Sequence, residues 1–195
     1  MARTALIERK TKETTITLEL HLDGDGSARV QTGIGFFDHC LQALAFHAGF
    51  YLQVAVQGDL EVDGHHTVED VGICLGQALA KALGNKAGIM RYGSCLLPMD
   101  ESLAQVALDI GGRPYLRLAY QPGAAMVGEF DTCLVEEFLR AMTNHAGLTL
   151  HVSVLAGGNA HHEVEAVFKG LGRALRQAVQ IGERPVIPST KGVLG

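Results

Sequence analysis

The chain has 195 residues, 47% hydrophobic and 19% charged, enough apolar material to offset the ordering entropy of a packed core. Sixteen Lys and Arg against 21 Asp and Glu leave a formal charge of −5, the wrong sign for holding a nucleic acid by bulk charge. Apolar runs stop well short of the roughly 20 residues that cross a bilayer, and MARTALIERK lacks a signal-peptide core, so a soluble cytoplasmic protein with no nucleic-acid or membrane partner is expected. Cys40, Cys74, Cys95 and Cys133 are widely spaced without a C-x-x-C pair, which argues for reduced thiols rather than a disulfide framework or a thiolate zinc site.

From the N-terminus, TTITLELHL (14–22) and SARVQT (27–32) alternate apolar and polar residues at the strand period, and the Gly-rich DGDG at 23–26 reads as a hairpin turn between them. A helix follows at 38–49, then the short β-branched run YLQVAV (51–56), then a longer amphipathic helix opening after His65 and His66. Gly84 to Gly88 close this unit. The order recurs with strands AQVALDI (104–110) and PYLRLAYQ (114–121), a helix at 136–147, the strand TLHVSV (149–154) and a helix after His161 and His162. The tail RPVIPSTKGVLG holds two prolines and no helical period, and reads as a surface arm.

The recurrence extends to residues. HAGFYLQVAV at 47–56 matches HAGLTLHVSV at 145–154, and DHCLQALAFHAG from Asp38 matches EEFLRAMTNHAG from Glu136, which sets His39 opposite Glu137 and His47 opposite His145. GHHTVEDVGICLGQAL matches AHHEVEAVFKGLGRAL in the same way. The chain is therefore a tandem duplication. The expected class is α+β, two ββαβα units whose sheets pack around a layer of helices, with halves at 1–88 and 89–182 and an arm at 183–195.

The duplicated His-His-x-x-Glu carries the chemistry. Glu69 follows His65 and His66, and Glu165 follows His161 and His162, at helical spacings that suit chelation of a divalent ion. Adjacent rings diverge by about 100° on a helix, so one pair does not grip one ion. Each ion is expected to take one imidazole from each copy, with His39 and Glu137 as further ligands. Such mixed N/O sites suit manganese or iron better than a Cys-rich zinc site. Arg91, Arg113, Ser189 and Lys191 lie in loop-like contexts and together offer the donors of a phosphate site.

TKET at 11–14, GFFDH at 35–39, DGHHTVED at 63–70, GRPY at 112–115, NAHHEVEA at 159–166, RALRQA at 173–178 and PSTKGVL at 188–194 span nearly the whole chain. In these motifs the sequence resembles the imidazoleglycerol-phosphate dehydratase family of histidine biosynthesis. The resemblance implies a ribosomal protein S5 domain 2-like fold and a manganese-dependent lyase, with two Mn2+ ions per active site. It implies a homo-oligomer of 24 subunits built from trimers, with sites at subunit interfaces, acting on the small molecule imidazole glycerol phosphate. The implied metal ligands are His39, His65, His66, Glu69, His161, His162 and Glu165. Glu137 stands where some members carry a further ligand His, and Ala43 stands where some carry Gln. Glu13, His47, Arg91, Arg113, Lys169, Ser189 and Lys191 fall at the family's substrate-contact positions.

The carbon that loses its proton in that reaction has no neighbouring carbonyl, so the imidazole ring must act as electron sink. The resemblance thus implies a metal-bound imidazolate from which hydroxide leaves, before the enol tautomerises to imidazole acetol phosphate. Glu13, Glu69, Glu165 and His47 are the candidates for moving protons, and Arg91, Arg113, Lys169, Ser189 and Lys191 for holding phosphate. A metal-dependent phosphate-ester hydrolase, or a metal-linked assembly protein without turnover, would use the same residues.

Overall fold

A computed structural model describes residues 2–183 and 186–194. The first half runs β1 (Thr4–Lys10), β2 (Thr14–His21), β3 (Ala28–Gln31), α1 (Gly35–Ala48), β4 (Tyr51–Gly58) and α2 (His65–Leu83). The second runs β5 (Tyr92–Met99), β6 (Ser102–Asp109), β7 (Tyr115–Ala119), the short β8 (Met126–Val127) and β9 (Phe130–Asp131), α3 (Leu134–Ala146), β10 (Thr149–Ala156) and α4 (Ala160–Val179). The ββαβα order is present twice, and each copy is preceded by one further strand, β1 or β5.

Those two strands are edges, which explains their weak signal. In β1 only Ala5 is buried, among Glu8, Arg9 and Lys10; β5 carries Gly93 and Pro98, residues tolerated in a strand chiefly at an edge. The sheets have equivalent orders, β1-β2-β4-β3 and β5-β6-β10-β7. Neither the expected β2–β3 hairpin nor the equivalent pairing of AQVALDI with PYLRLAYQ (β6 and β7) forms: β4 lies between β2 and β3, and β10 between β6 and β7, each antiparallel to the first strand and parallel to the second. A parallel neighbour needs a crossover, which α1 supplies in the first half. The DGDG segment instead carries the chain across the start of β4, where a Cβ on Gly24 would lie 2.0 Å from the Tyr51 amide nitrogen.

The four helices lie between the sheets and pack across the halves, α1 on α4 and α2 on α3. The inward alternation of β2 (Ile16, Leu18, Leu20) and β6 (Ala104, Val106, Leu108) faces them, and one core runs through both halves. At its centre Phe138 meets Phe37 edge-on at 5.4 Å and stacks on Phe168 at 5.1 Å. Among the described residues no helix is long and apolar enough to cross a membrane.

Local signals set where the histidines start their helices. Asn159 caps α4 by accepting the His161 backbone N–H at 3.0 Å, and its repeat counterpart Asp63 accepts the His65 N–H at 2.7 Å. Behind the first pair, buried Asp70 accepts Thr14 Oγ1 at 2.5 Å and pairs with Arg9 at 2.9 Å, which fixes the opening turns of α2 to β1 and β2.

Candidate active site

His161, Glu165 and Lys169 are spaced four apart on one face of α4, and that face meets His39 on α1. Glu165 Oε1 lies 3.1 Å from His39 Nε2 and 2.7 Å from Lys169 Nζ, and its Oε2 lies 3.2 Å from His161 Nε2. The carboxylate is buried, whereas both imidazoles are about half exposed. Burial pushes the Glu165 carboxyl up, but the hydrogen bonds from Lys169 and His39 outweigh it and hold the group below its ordinary range. The His161 ring is kept in place by Phe36, 4.8 Å away between centroids. His39, His161 and Glu165 present three donor atoms within 4.8 Å of one another, an N/O set that fits a divalent ion.

The rings of each pair diverge, as helical geometry requires: His65 and His66 are 6.1 Å apart at 88°, His161 and His162 6.0 Å apart at 86°. His66 turns to Asp59, whose carboxylate oxygens lie 3.0 and 3.2 Å from Nδ1, while Nε2 lies 3.8 Å from Glu13 on the β1–β2 turn. That hydrogen bond to Asp59 raises the His66 pKa, although burial opposes it. His162 turns to Glu101 on the β5–β6 turn, with both carboxylate oxygens 3.1 Å from Nδ1. Asp100, Glu101 and His162 make the second cluster of ligand-type groups among the described residues. Glu163, the residue directly after the pair, is buried and accepts the Gly123 N–H at 3.0 Å, so it faces away from the imidazoles.

The expectation of one imidazole from each His-His-x-x-Glu copy is not met within a chain. The first-half histidine that joins His161 is His39, and the described clusters contain neither His65 nor His66. Glu69 and Glu137 are half-buried on α2 and α3 and belong to neither cluster. His47 is half-buried at the end of α1 against α4; burial, then Lys169 and Arg173, hold it below the ordinary histidine value. His145, its repeat counterpart, engages the Ala141 carbonyl of its own helix at 2.9 Å.

Four of the five phosphate candidates share one place. Arg91, Arg113, Ser189 and Lys191 line a cleft of about 1240 Å³ between the start of β5 and the C-terminal arm. Arg91 is held there by two bonds to Asp109, 2.7 and 3.0 Å, and by donation to the Pro188 carbonyl at 2.8 Å. Its positive φ of 71° bends the chain into β5. The arm thus forms one wall of the cleft rather than standing free. Lys169 is the exception: it pairs with Glu165 and is absent from the cleft lining. Asp59, Glu101 and Asp109 escaped the sequence reading because each acts on a partner 7 to 61 residues away, with no spacing to reveal it.

Fold and side chains define a class: a duplicated α+β protein that presents imidazole and carboxylate groups at two helix starts and, apart from them, a basic cleft at the far end of α4. The profile of a family described as imidazoleglycerol-phosphate dehydratase matches residues 32–175. The chain is 60% identical over 195 residues to the imidazoleglycerol-phosphate dehydratase of Moorella thermoacetica, all of both chains. It is 57% identical over 194 residues to that of Dinoroseobacter shibae, covering 98% of this chain and 100% of the relative. A crystal structure of the Staphylococcus aureus dehydratase superposes with a TM-score of 0.83 at 40% identity, over 91% of this chain and 99% of that one. The Pyrococcus furiosus structure gives 0.84 at 38%, over 96% and 100%. The chain belongs to the imidazoleglycerol-phosphate dehydratase family.

Proposed function

We propose that this chain is a carbon–oxygen lyase of histidine biosynthesis that eliminates water from imidazole glycerol phosphate to give imidazole acetol phosphate. It acts in the cytoplasm as a homo-oligomer, 24 subunits built from trimers, with two manganese ions per active site. Family membership supports the reaction. The observation that carries the site is the buried Glu165 carboxylate between two imidazole Nε2 atoms, a donor set of the kind manganese takes.

His39, His161 and Glu165 would hold one ion, and His65, His66, Glu69, Glu137 and His162 supply the remaining ligands. Manganese, when bound, supplies Lewis-acid stabilisation of the negative charge that develops on the substrate's imidazole ring. The outward divergence of His66 and His162 within one chain supports completion of the sites by neighbouring subunits. Exposed Leu96, Tyr115 and Leu155 are apolar surface that such an assembly would cover.

The chain's own groups divide the remaining work. Arg91, Arg113, Ser189 and Lys191 bind the phosphate in their cleft, and Lys169 serves a different task, keeping Glu165 ionised. A carboxylate so committed is a weak base, which leaves the exposed Glu13, beside His66, as the better group to take the carbon-bound proton, with Glu69 the alternative. His47 protonates the departing hydroxyl, which leaves as water, with a proton drawn from solvent, while the base keeps the carbon-bound proton until solvent returns it to its ionised form.

The test is product identification. Purified protein given imidazole glycerol phosphate and Mn2+ should form imidazole acetol phosphate with the phosphate retained. Release of inorganic phosphate would mark a hydrolase, and binding of metal without any product would mark an assembly protein.

A further inference from the structure

We propose that Asp59 and Glu101 are positioning residues for the metal centre: each accepts a hydrogen bond from Nδ1–H of the second histidine of a pair, fixing His66 and His162 with Nε2 as the ligand atom. This inference rests on the proposed role of those histidines in holding metal.

An ionised carboxylate can only accept, so a ring nitrogen within hydrogen-bond reach of one carries the proton. Asp59 reaches His66 Nδ1 with oxygens at 3.0 and 3.2 Å, and Glu101 reaches His162 Nδ1 with both at 3.1 Å. Each imidazole is therefore the tautomer whose lone pair sits on Nε2.

The two acids are themselves held. The Asp59 backbone N–H donates to the Glu13 carbonyl at 3.1 Å, and Glu101 Oε1 accepts from Ser102 Oγ at 3.1 Å. The duplication did not copy the contact. The repeat counterpart of Asp59 is Gly157, which has no side chain, and the second half takes its acid from the β5–β6 turn instead. The same bond built from different elements in the two halves points to a requirement on the imidazole rather than on the loop. It also argues against Asp100, Glu101 and His162 as a separate ion site, because an Nδ1 that carries a proton has no lone pair for a metal.

The experiment uses the metal-stripped full chain and its Asp59→Ala, Asp59→Asn, Glu101→Ala and Glu101→Gln variants, titrated with Mn2+ while the resonance of the free aquo ion is followed. Loss of an outer-shell partner of this kind weakens metal binding by about 10–100-fold, and that is the shift expected for both Ala variants at one site each, with unchanged stoichiometry at saturation. The Asn and Gln variants, whose amide oxygens still accept from Nδ1–H, should recover part of the loss. Melting of the metal-free proteins controls for folding, and if an Ala variant melts early its amide counterpart decides. Wild-type affinity in all four variants would overturn the proposal, as would loss of a whole equivalent of Mn2+ in Glu101→Ala, which would make Glu101 a ligand. A wild-type protein that binds no Mn2+ would overturn the metal reading and this inference with it, a failure distinct from variants that match a metal-binding wild type.

Discussion

Glu165 shows how one side chain ties charge, stability and chemistry together. Its carboxyl is held below the ordinary value of 4.5 because Lys169 and His39 outweigh burial. A depressed folded value means that the contribution to stability is complete above about pH 4.5 and is lost as pH falls through the folded value. The metal-free wild type should therefore lose stability in that acid range by an amount that Glu165→Gln lacks, which denaturant titrations at stepped pH will measure. A steeper acid loss in the variant would contradict the assignment. Glu13 offers the complementary case, an exposed carboxylate without a lysine partner. Glu13→Gln should lower kcat by at least about 100-fold while Mn2+ affinity stays within a few-fold, as steady-state kinetics and metal titration can establish. Candidate ligands stand out in the sequence because duplication flags them: two copies of His-His-x-x-Glu in register, with His39 and Glu137 at matched places, of which the structure brings His39, His161 and Glu165 together. Their partners do not. Lys169 read as a phosphate ligand, and only the meeting of its ammonium with Glu165 on one helix face shows its other task.

At the scale of elements, helix packing rests on two glycines in equivalent positions. A Cβ on Gly76 would meet Met142 O at 2.6 Å and His145 Cβ at 2.8 Å; on Gly172 it would meet Leu44 O at 2.5 Å and His47 Cβ at 3.1 Å. The neighbours are repeat counterparts, so α2 on α3 and α4 on α1 approach in one way. Gly172→Ala must push α4 off α1 and should cost about 1–3 kcal/mol, read from the denaturant midpoint. Because the displaced surface includes His47, turnover should fall in the variant even at temperatures where it stays folded. The longer helices and the inner strands were readable from periodicity, since each has one buried face. β1 and β5 were not, because edge strands bury little and tolerate charge, glycine and proline. The misplaced hairpin between β2 and β3 has a different origin: pattern reveals that a segment is a strand, but strand order depends on the α1 crossover, which no local spacing records.

The whole molecule places its two kinds of chemistry apart. Imidazole and carboxylate clusters sit at the starts of α2 and α4, while the basic cleft is closed by the arm, with Pro188 fastened to Arg91. Removing residues 188–194 deletes Ser189 and Lys191 from the cleft. Charge-assisted hydrogen bonds are worth about 1.5–3 kcal/mol each, so KM for the phosphorylated substrate should rise by at least about tenfold. Melting temperature and Mn2+ binding should be nearly unchanged, and an unaltered KM would remove the arm from phosphate binding. The halves themselves share one core and pack helix against helix across the duplication, so the sheets and helices hold both His-His-x-x-Glu turns on a single packed frame. The measurement that bears most directly on the account is formation of imidazole acetol phosphate by protein stripped of metal with a chelator, before and after stepwise return of Mn2+. The account predicts no ketone from the stripped protein and activity that climbs with bound manganese to a plateau at full occupancy; a chelated, metal-free protein that turns over at the full rate would contradict it.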